Sequence, residues 1–527
     1  MKRYKEYVAH VLPCMFYGVL CGLLVGVAMF FFKFGASKVT ALSEHLLEGA
    51  KSSPLYIILL FAVLALGALL MILLHKKIPD CKGGGIPLSE GILRGLLSFH
   101  WLKTLIGTFV GSMISFFCGL PLGSEGPAVV MGTSLGCLCG KISGNKHAWS
   151  RYVMSGGAGA GFAVATGAPL SAMLFVLEEV HKRFTPMLVL TVSMSVLSAT
   201  AVNRGLSSLF GVSPYLFEVE ELARFELSHM GWLLLLGVLT AIAVGIFDAS
   251  IIYFRKLTAK IGRFFPRPVK ILLIFLLAGV LGLTCVDALY SGHHTVLEVV
   301  AGHKTTLTLV LILALRMLMM LLITDSGVTG GIFVPTLAIG ALSGGLIVKL
   351  LVVMGMPEEL YSAAVLLSMC AFMGGMLRSP LVSAVLFAEI TGQFTDFFFV
   401  ALVVFTVSFV TELFNQTSFY DSVMERMEKE QTAGKTPKIA CFEMKVLPGA
   451  FVIGKAVRDV MWPPSCVVLS IKRAEKHTAD TDHDGEKRLY EGDTVVVRAR
   501  FFEEEELKKV LLGLMGKNQE IAEVTMK

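Results

Sequence analysis

Charged side chains are scarce in this chain. Asp, Glu, Lys and Arg make up only 16% of its 527 residues, whereas 55% are hydrophobic; soluble domains carry about 25% charged residues. A water-soluble fold with so few charges would expose more apolar surface than a core of this size can bury. The composition therefore excludes an ordinary soluble enzyme and predicts that most of the chain lies in lipid.

The patterns that mark metal sites and nucleic-acid interfaces are also missing. The ten cysteines include no CxxC pair, and the closest two, Cys137 and Cys139, lie on different faces of a glycine-rich apolar segment. They are typical of buried small hydrophobic residues. The net charge of +6 comes from Lys and Arg scattered over short connections, without interleaved aromatic residues. We therefore expect no metal, no cofactor and no nucleic-acid partner.

Long apolar runs alternate with shorter, interrupted ones. The run over residues 11–34 is too long for a signal peptide and lacks an A-x-A cleavage site, so it is predicted to be a retained membrane helix. Further predicted spans cover roughly residues 55–74, 232–252, 271–289, 307–323 and 398–413. Shorter pieces broken by Gly and Pro cover residues 128–138, 169–177, 331–350 and 380–387. Broken helices are tolerated at membrane depth only where they are covered by protein or line a polar cavity, which indicates a transport pathway.

The membrane part repeats itself. Pro127, followed by glycines five and nine residues later, matches Pro335 with the same offsets, and residues 169–175 match residues 380–387 with one residue inserted. Two matches in the same order predict a duplicated bundle, with repeats at about 10–205 and 228–425.

The chain changes character after the second repeat. We expect a linker at residues 431–438 and a small α+β cytoplasmic domain at 439–527, because ordinary charge density returns there with strand-like pieces such as CVVLSIKR and DTVVVRARF. An acidic run at 503–506 is predicted to begin a terminal helix.

Three glycine-rich motifs lie where short apolar pieces begin or end: GGGIP at residues 83–87, GSEGP at 123–127 and GIFVP at 331–335. Glycine lets backbone N–H groups approach a ligand, and a helix N-terminus offers unpaired donors with partial positive charge. If the motifs converged, they would form an anion site without Lys or Arg. Spacing alone equally allows simple helix breaks and packing glycines.

Glu125, within the second motif, favours the functional interpretation because an ionisable group in a membrane segment is costly. Its carboxylate is itself an anion. Deprotonated, it can occupy the place of a halide; protonated, it is neutral and can move away, so proton and anion occupancy become linked. Glu178 and Glu179 lie at the basic end of another short piece. For these two, a solvated helix end is as good an interpretation as a function.

The three motifs in this order, followed by Tyr420 in TSFYDSV, resemble the signature of the CLC chloride channel and transporter family, in its exchanger branch. The resemblance implies an all-α polytopic membrane fold over residues 1–430, with two inverted repeats of tilted and broken helices. It implies a homodimer with one anion pathway per subunit, and a transporter instead of an enzyme. The residues that it assigns are Glu125 as the external gate and proton-transfer group, Glu179 as the internal proton-transfer group, and Gly84, Gly85, Ile332, Phe333 and Tyr420 as the anion site.

Two positions depart from the family pattern. Gly84 stands where chloride-preferring members carry serine and nitrate exchangers tend to carry proline, which weakens the case for strict chloride selectivity. Ser124 replaces the usual Arg or Lys beside the gate. The expected activity is the exchange of chloride, or a similar monovalent anion, for protons. The alternatives are a passive voltage- or pH-gated chloride channel, or an exchanger for nitrate or fluoride; Tyr420 and Glu179 make fluoride the less favoured anion.

The expected location is a bacterial inner membrane, with several spans in the lipid bilayer and both termini cytoplasmic. Residues 452–497 resemble the TrkA-C type regulatory domain, which implies a possible small ligand at the tail.

Two further pattern matches carry less weight. Asp480, Asp482, Asp484 and Glu491 match the EF-hand calcium pattern, but Lys487 and strand-like flanks favour a solvated loop. Ser134 fits the G-x-S-x-G motif of hydrolases, yet a nucleophile elbow requires a preceding strand, and this segment is helix-like.

Overall fold

The computed structural model describes residues 2–83, 85–142, 147–217, 219, 222–261, 265–414, 418–473, 479–480 and 485–524. Within these residues the chain is predominantly helical. The first helices are α1 (Lys2–Ser52), α2 (Pro54–Lys77), α3 (Ile86–Arg94), α4 (Trp101–Phe117), α5 (Glu125–Ile142), α6 (His147–Thr166), α7 (Pro169–Leu174) and α8 (Pro186–Phe210). The next are α9 (Met230–Ile261), α10 (Arg267–Thr284), α11 (His293–Val300), α12 (Thr306–Ser326), α13 (Phe333–Val353), α14 (Tyr361–Leu377), α15 (Pro380–Thr391) and α16 (Phe397–Leu413). The chain ends with α17 (Phe419–Gln431), a small sheet and α18 (Glu504–Met515).

The described residues form eight helices that are long and apolar enough to cross a membrane. This confirms the multi-pass membrane architecture. The segment over residues 331–350, predicted to be a short piece, is in fact the 21-residue α13, which is among these eight.

Two spanning segments, α8 and the one that ends with α14, were missed by the sequence prediction because Ser, Thr and Gly dilute their apolar runs. Several of the hydroxyl groups in α8 bond to its own backbone: Thr191 Oγ1 donates to the Met187 carbonyl at 2.8 Å, and Thr200 Oγ1 donates to the Val196 carbonyl at 2.8 Å.

Glycine allows α5 and α6 to pack backbone against backbone. A Cβ atom at Gly132 would lie only 2.1 Å from the Gly157 carbonyl oxygen, so no side chain fits at this crossing. In lipid, where apolar burial does not drive helix association, such close packing holds helices together. The contact fixes the orientation of α5, whose first residue is Glu125.

The tail forms one antiparallel sheet in the order β3-β2-β4-β1-β5. Its strands are β1 (Lys438–Lys445), β2 (Cys466–Lys472), β3 (Ala479–Asp480), β4 (Thr494–Phe501) and β5 (Ala522–Val524). The predicted strands at CVVLSIKR and DTVVVRARF are confirmed as β2 and β4, and the helix after the acidic run is confirmed as α18. The finer resemblance to the TrkA-C type stays a prediction.

The tail contacts the start of α6. The Tyr152 ring lies 6.0 Å from the Phe451 ring, and the Tyr152 hydroxyl donates to the Asp459 carbonyl at 3.1 Å. Arg151 donates to the Trp462 carbonyl at 3.2 Å. We call this boundary between tail and membrane part the seam.

Candidate anion and proton pathway

The three glycine-rich motifs meet in space. The Gly123 N–H donates to the Gly331 carbonyl at 2.7 Å, and the Gly331 N–H donates back to the Gly123 carbonyl at 2.9 Å. A Cβ atom added at Gly126 would lie 2.8 Å from Gly331 Cα and 3.0 Å from Gly85 Cα. The motifs thus touch backbone to backbone, and any side chain at this point would separate them.

Each motif runs directly into a helix N-terminus. Glu125 begins α5, while Gly85 and Ile332 are the residues just before α3 and α13, and neither of these two ends has a side-chain cap. Converging N-termini concentrate unpaired N–H groups and partial positive charge, which suits a monovalent anion. Gly84 lies outside the described residues.

The side chain of Glu125 is folded into this cluster. It is 1% exposed, and Ser124 Oγ donates to its Oε1 at 3.0 Å. The backbone amides of Glu125 and Val334 also lie near the carboxylate, although Oε2 forms no complete hydrogen bond. The carboxylate therefore sits at the N-terminus of α13, where a bound anion would interact with the same donors.

A basic residue within electrostatic reach of Glu125 comes from a part of the chain that the motifs did not indicate. Lys33 of α1 interacts electrostatically with Glu125, and its Nζ lies 3.4 Å from the Pro214 carbonyl, to which it donates. Lys33 is thus a basic residue within electrostatic reach of Glu125, whose own motif carries the uncharged Ser124.

Tyr420 lies on α17, outside the three glycine-rich motifs. It is the second residue of α17, its side chain is buried, and its hydroxyl has no hydrogen-bond partner among the described residues. It is within electrostatic reach of both Glu125 and Glu179. A buried hydroxyl without a partner is costly, and an anion in the pathway would satisfy it.

Phe333 is held in place by other aromatic rings. It meets Phe162 edge to face at 5.0 Å, and Phe162 stacks on Phe175 at 4.7 Å. This packing connects the first residue of α13 to the segment that carries Glu179.

Glu179 lies in a single π-helical turn, Phe175–Val180. Its carboxylate is fully buried; Ser379 Oγ donates to Oε2, and Oε1 has no partner among the described residues. Single π-helical turns are frequent at functional sites. The adjacent Glu178 faces elsewhere: it accepts the N–H groups of Leu381 at 3.0 Å and Val382 at 2.7 Å.

Glu178 is therefore not the solvated helix end considered from the sequence. It binds the N-terminus of α15, and Glu389 of α15 reciprocally accepts the N–H groups of Leu170 and Ser171 in α7, each at 2.8 Å. Glu178 is nine residues after Pro169, as Glu389 is nine residues after Pro380. The two segments therefore match without the inserted residue, and the predicted insertion was wrong.

Arg94 connects the inner elements of the pathway. It donates to the Glu179 carbonyl at 3.0 Å and to Asp421 at 3.0 Å, and it forms a buried ion pair with Glu90. Asp421 also pairs with Lys182 at 2.7 Å. One guanidinium thus ties α3, the π-helical turn and α17 together.

A cavity of about 260 Å³ opens beside the first motif, at Gly83. Its charged lining residues are Lys82, Arg255, Arg267 and Arg426, with Asp80 and Glu430. The excess of cations concentrates anions where the chain leads into the glycine cluster. We call this the basic vestibule.

The G-x-S-x-G match does not form a hydrolase site. Ser134 is inside α5, where its hydroxyl donates to the Val130 carbonyl at 2.9 Å, so it is not a nucleophile elbow. Asp482 and Asp484 lie outside the described residues. Within the described part of the chain no group of three His, Cys, Asp or Glu residues could hold a metal ion, and Cys137 and Cys139 therefore belong to no such group.

Comparison with known proteins identifies the family of this chain. The model of the family described as voltage gated chloride channel matches residues 66–412. The H(+)/Cl(-) exchange transporter ClcA of Salmonella paratyphi B is 28% identical over 449 residues, which are 83% of this chain and 93% of the relative.

Two solved structures share the fold. A slow cyanobacterial Cl-/H+ antiporter superposes with a TM-score of 0.73 at 25% identity, covering 80% of this chain and 99% of the other. A CLC-type fluoride/proton antiporter superposes with a TM-score of 0.63 at 19% identity, covering 78% and 97%. The extent of the family match shows that this chain belongs to the voltage gated chloride channel family, the family that its three glycine-rich motifs resemble.

Proposed function

We propose that this protein exchanges chloride, or a similar monovalent anion, for protons, with Glu125 as the external gate and proton carrier and Glu179 as the internal proton-transfer group. The observation that carries the proposal is the position of Glu125, whose buried carboxylate lies at the N-terminus of α13 among donors that an anion would use. A carboxylate and a halide cannot occupy one such place together. Protonation removes the charge of Glu125, so that it can leave and an anion can enter.

The inner half of the pathway supports the same mechanism. The basic vestibule attracts the anion, and the Tyr420 hydroxyl, which has no partner among the described residues, offers a donor within electrostatic reach of both glutamates. The remaining donors in this proposal are the backbone amides of Ile332 and Phe333, together with Gly84 and Gly85. Glu179, buried and bonded to Ser379, would hold the proton before it passes to Glu125.

The assembly and orientation are parts of the same proposal. We place both termini in the cytoplasm of a bacterium, with residues 1–430 as the transport domain, 431–438 as the linker and 439–527 as the tail. Each subunit of a homodimer would contain a complete pathway. The relatives named as proton/chloride exchangers support the exchange activity.

The decisive experiment measures chloride and proton movement together in proteoliposomes. We expect a chloride gradient to drive opposing proton movement in the wild type. Glu125→Gln, whose amide mimics the protonated carboxyl group, should keep chloride flux and lose proton movement.

Glu359→Gln is the matched control, because this glutamate is exposed near the start of α14 and forms no ion pair among the described residues. Chloride flux without proton movement in the wild type would instead establish a channel. Proton pumping that persists in Glu125→Gln would show that the gate is wrongly assigned.

A further inference from the structure

A second cavity, of about 290 Å³, lies at the seam between the tail and the membrane part. Its described lining residues include no Asp or Glu. The polar groups that matter here are Arg94, Arg151, Arg183 and Thr185 from the membrane part, and Arg458, Trp462 and Ser465 from the tail. We call it the seam cavity.

Two of its guanidinium groups have no counter-ion within the described parts of the chain. Arg151 donates to backbone carbonyls only, including Leu93 at 2.9 Å and Trp462 at 3.2 Å. The Arg183 side chain is exposed and has no partner among the described residues. Arg458 and Arg94 differ, because they pair with Glu486 and with Glu90, respectively. The cavity thus has a positive charge that nearby carboxylates do not cancel.

Thr185 provides an independent sign of a missing ligand. Its side chain is 6% exposed and lines the cavity, yet its Oγ1 has no hydrogen-bond partner among the described residues. Thr185 is also the residue before α8, and its hydroxyl does not cap that helix. The 25-residue α8 therefore presents its N-terminus beside this hydroxyl. A buried hydroxyl, a helix N-terminus and two guanidinium groups that no described carboxylate neutralises are the features that bind a phosphate group.

We propose that the seam cavity binds a phosphate group, carried by a soluble metabolite or by a lipid headgroup, and that its occupancy acts on the transport pathway through Arg94. Arg94 lines the cavity and also donates to the Glu179 carbonyl at 3.0 Å. A ligand that shifts this guanidinium shifts the π-helical turn. The proposed phosphate binding does not depend on the proposed exchange function, whereas the proposed regulation of transport rests on it.

Binding is tested by isothermal titration of the full-length protein in detergent with inorganic phosphate and pyrophosphate. We expect Arg183→Gln and Thr185→Val to weaken binding at least tenfold, since each removes a donor to a charged group. Thr185→Val keeps the side-chain volume. Arg498→Gln, at an exposed arginine of β4 outside the cavity, should bind as the wild type does.

The lipid source is tested by reconstitution in phosphatidylcholine with or without phosphatidic acid, followed by native mass spectrometry of the retained lipid. Retention of phosphatidic acid by the wild type but not by Arg183→Gln would assign the phosphate to a headgroup. Absence of binding in both arms, equal binding by the variants, or chloride binding at the same concentrations as pyrophosphate would overturn the site.

The regulatory part is tested by chloride flux with and without the bound probe. We expect the probe to change wild-type flux at least twofold and to leave Arg183→Gln unaffected. Binding without any change in flux would overturn the coupling through Arg94, while a wild type that binds but never transports would refute only the exchange function.

Discussion

Gly126→Ala tests whether the three glycine-rich motifs meet as the structure shows. The added methyl group would lie 2.8 Å from Gly331 Cα and 3.0 Å from Gly85 Cα, whereas ordinary contacts begin at 3.4 Å. Both neighbours are backbone atoms, so no side chain can rotate away. The motifs must therefore separate by about half an ångström, and the N–H groups of the anion site move with them.

Overpacking of this kind costs about 1–3 kcal/mol. If most of this cost falls on the anion-binding conformation, chloride turnover should decrease at least tenfold, because about 1.4 kcal/mol corresponds to a factor of ten. The melting temperature of the purified protein should decrease as well. Chloride efflux from proteoliposomes and thermal unfolding in detergent measure the two effects separately.

Gly205→Ala is the matched control. It adds the same methyl group in α8, where no described atom beyond the adjoining helix backbone lies within 4 Å of the new Cβ and the backbone conformation is helical. Replacing a helical glycine stabilises a helix by about 0.5–1 kcal/mol, so wild-type flux is expected. Wild-type flux and melting temperature in Gly126→Ala would refute the convergence of the motifs, and an equal loss in both variants would point to membrane insertion instead.

Three further substitutions test other parts of the molecule. Ser379→Ala removes the donor to Glu179 and should lower proton flux more than chloride flux in the liposome assay; an unchanged proton-to-chloride ratio would contradict the proton-transfer role. Gly84→Ser adds a hydroxyl group at the position that departs from the family pattern and should raise the chloride-to-nitrate flux ratio, and an unchanged ratio would rule out that position as the selectivity determinant. Burial lowers the pKa of Lys455 in the tail to about 7, from 10.5. Burying the charged lysine therefore lowers the free energy of unfolding; this destabilisation is fully present below pH 7 and is relieved as the pH rises to 10.5. Lys455→Met removes it, so the variant should raise the free energy of hydrogen exchange in residues 446–460 by about 2–3 kcal/mol more at pH 6 than at pH 9. A pH-independent effect would show that this lysine is charged in the folded protein throughout.

Local patterns in the sequence were sufficient for much of the architecture. Long apolar runs predicted α2, α10 and α12, because a span needs about 20 apolar residues in sequence. The same criterion failed for α8, where hydroxyl-bearing residues interrupt the apolar run, although some of them, such as Thr191, bond to the carbonyl one turn earlier. The strands of the tail were recognisable from their short apolar runs.

The parts of the pathway that could not be predicted involve partners far apart in the chain. Arg94 contacts Asp421, and Lys33 comes within electrostatic reach of Glu125, only through the packing of separate helices. Matching of the two sequences also gave the wrong register for the repeat. The structure corrected it, because Glu178 and Glu389 each accept N–H groups at the helix N-terminus of the other repeat and therefore occupy equivalent positions.

The sequence by itself determined that the chain resides in a membrane, that it carries three glycine-rich motifs and that Glu125 and Glu179 are exceptional charges. Only the tertiary structure decided what these groups contact. Glycine permits close approach but does not specify the partner, and adjacent residues such as Glu178 and Glu179 differ in role because successive side chains of a helical turn point in different directions. The packing of α15 against that turn buries one carboxylate and uses the other as a cap.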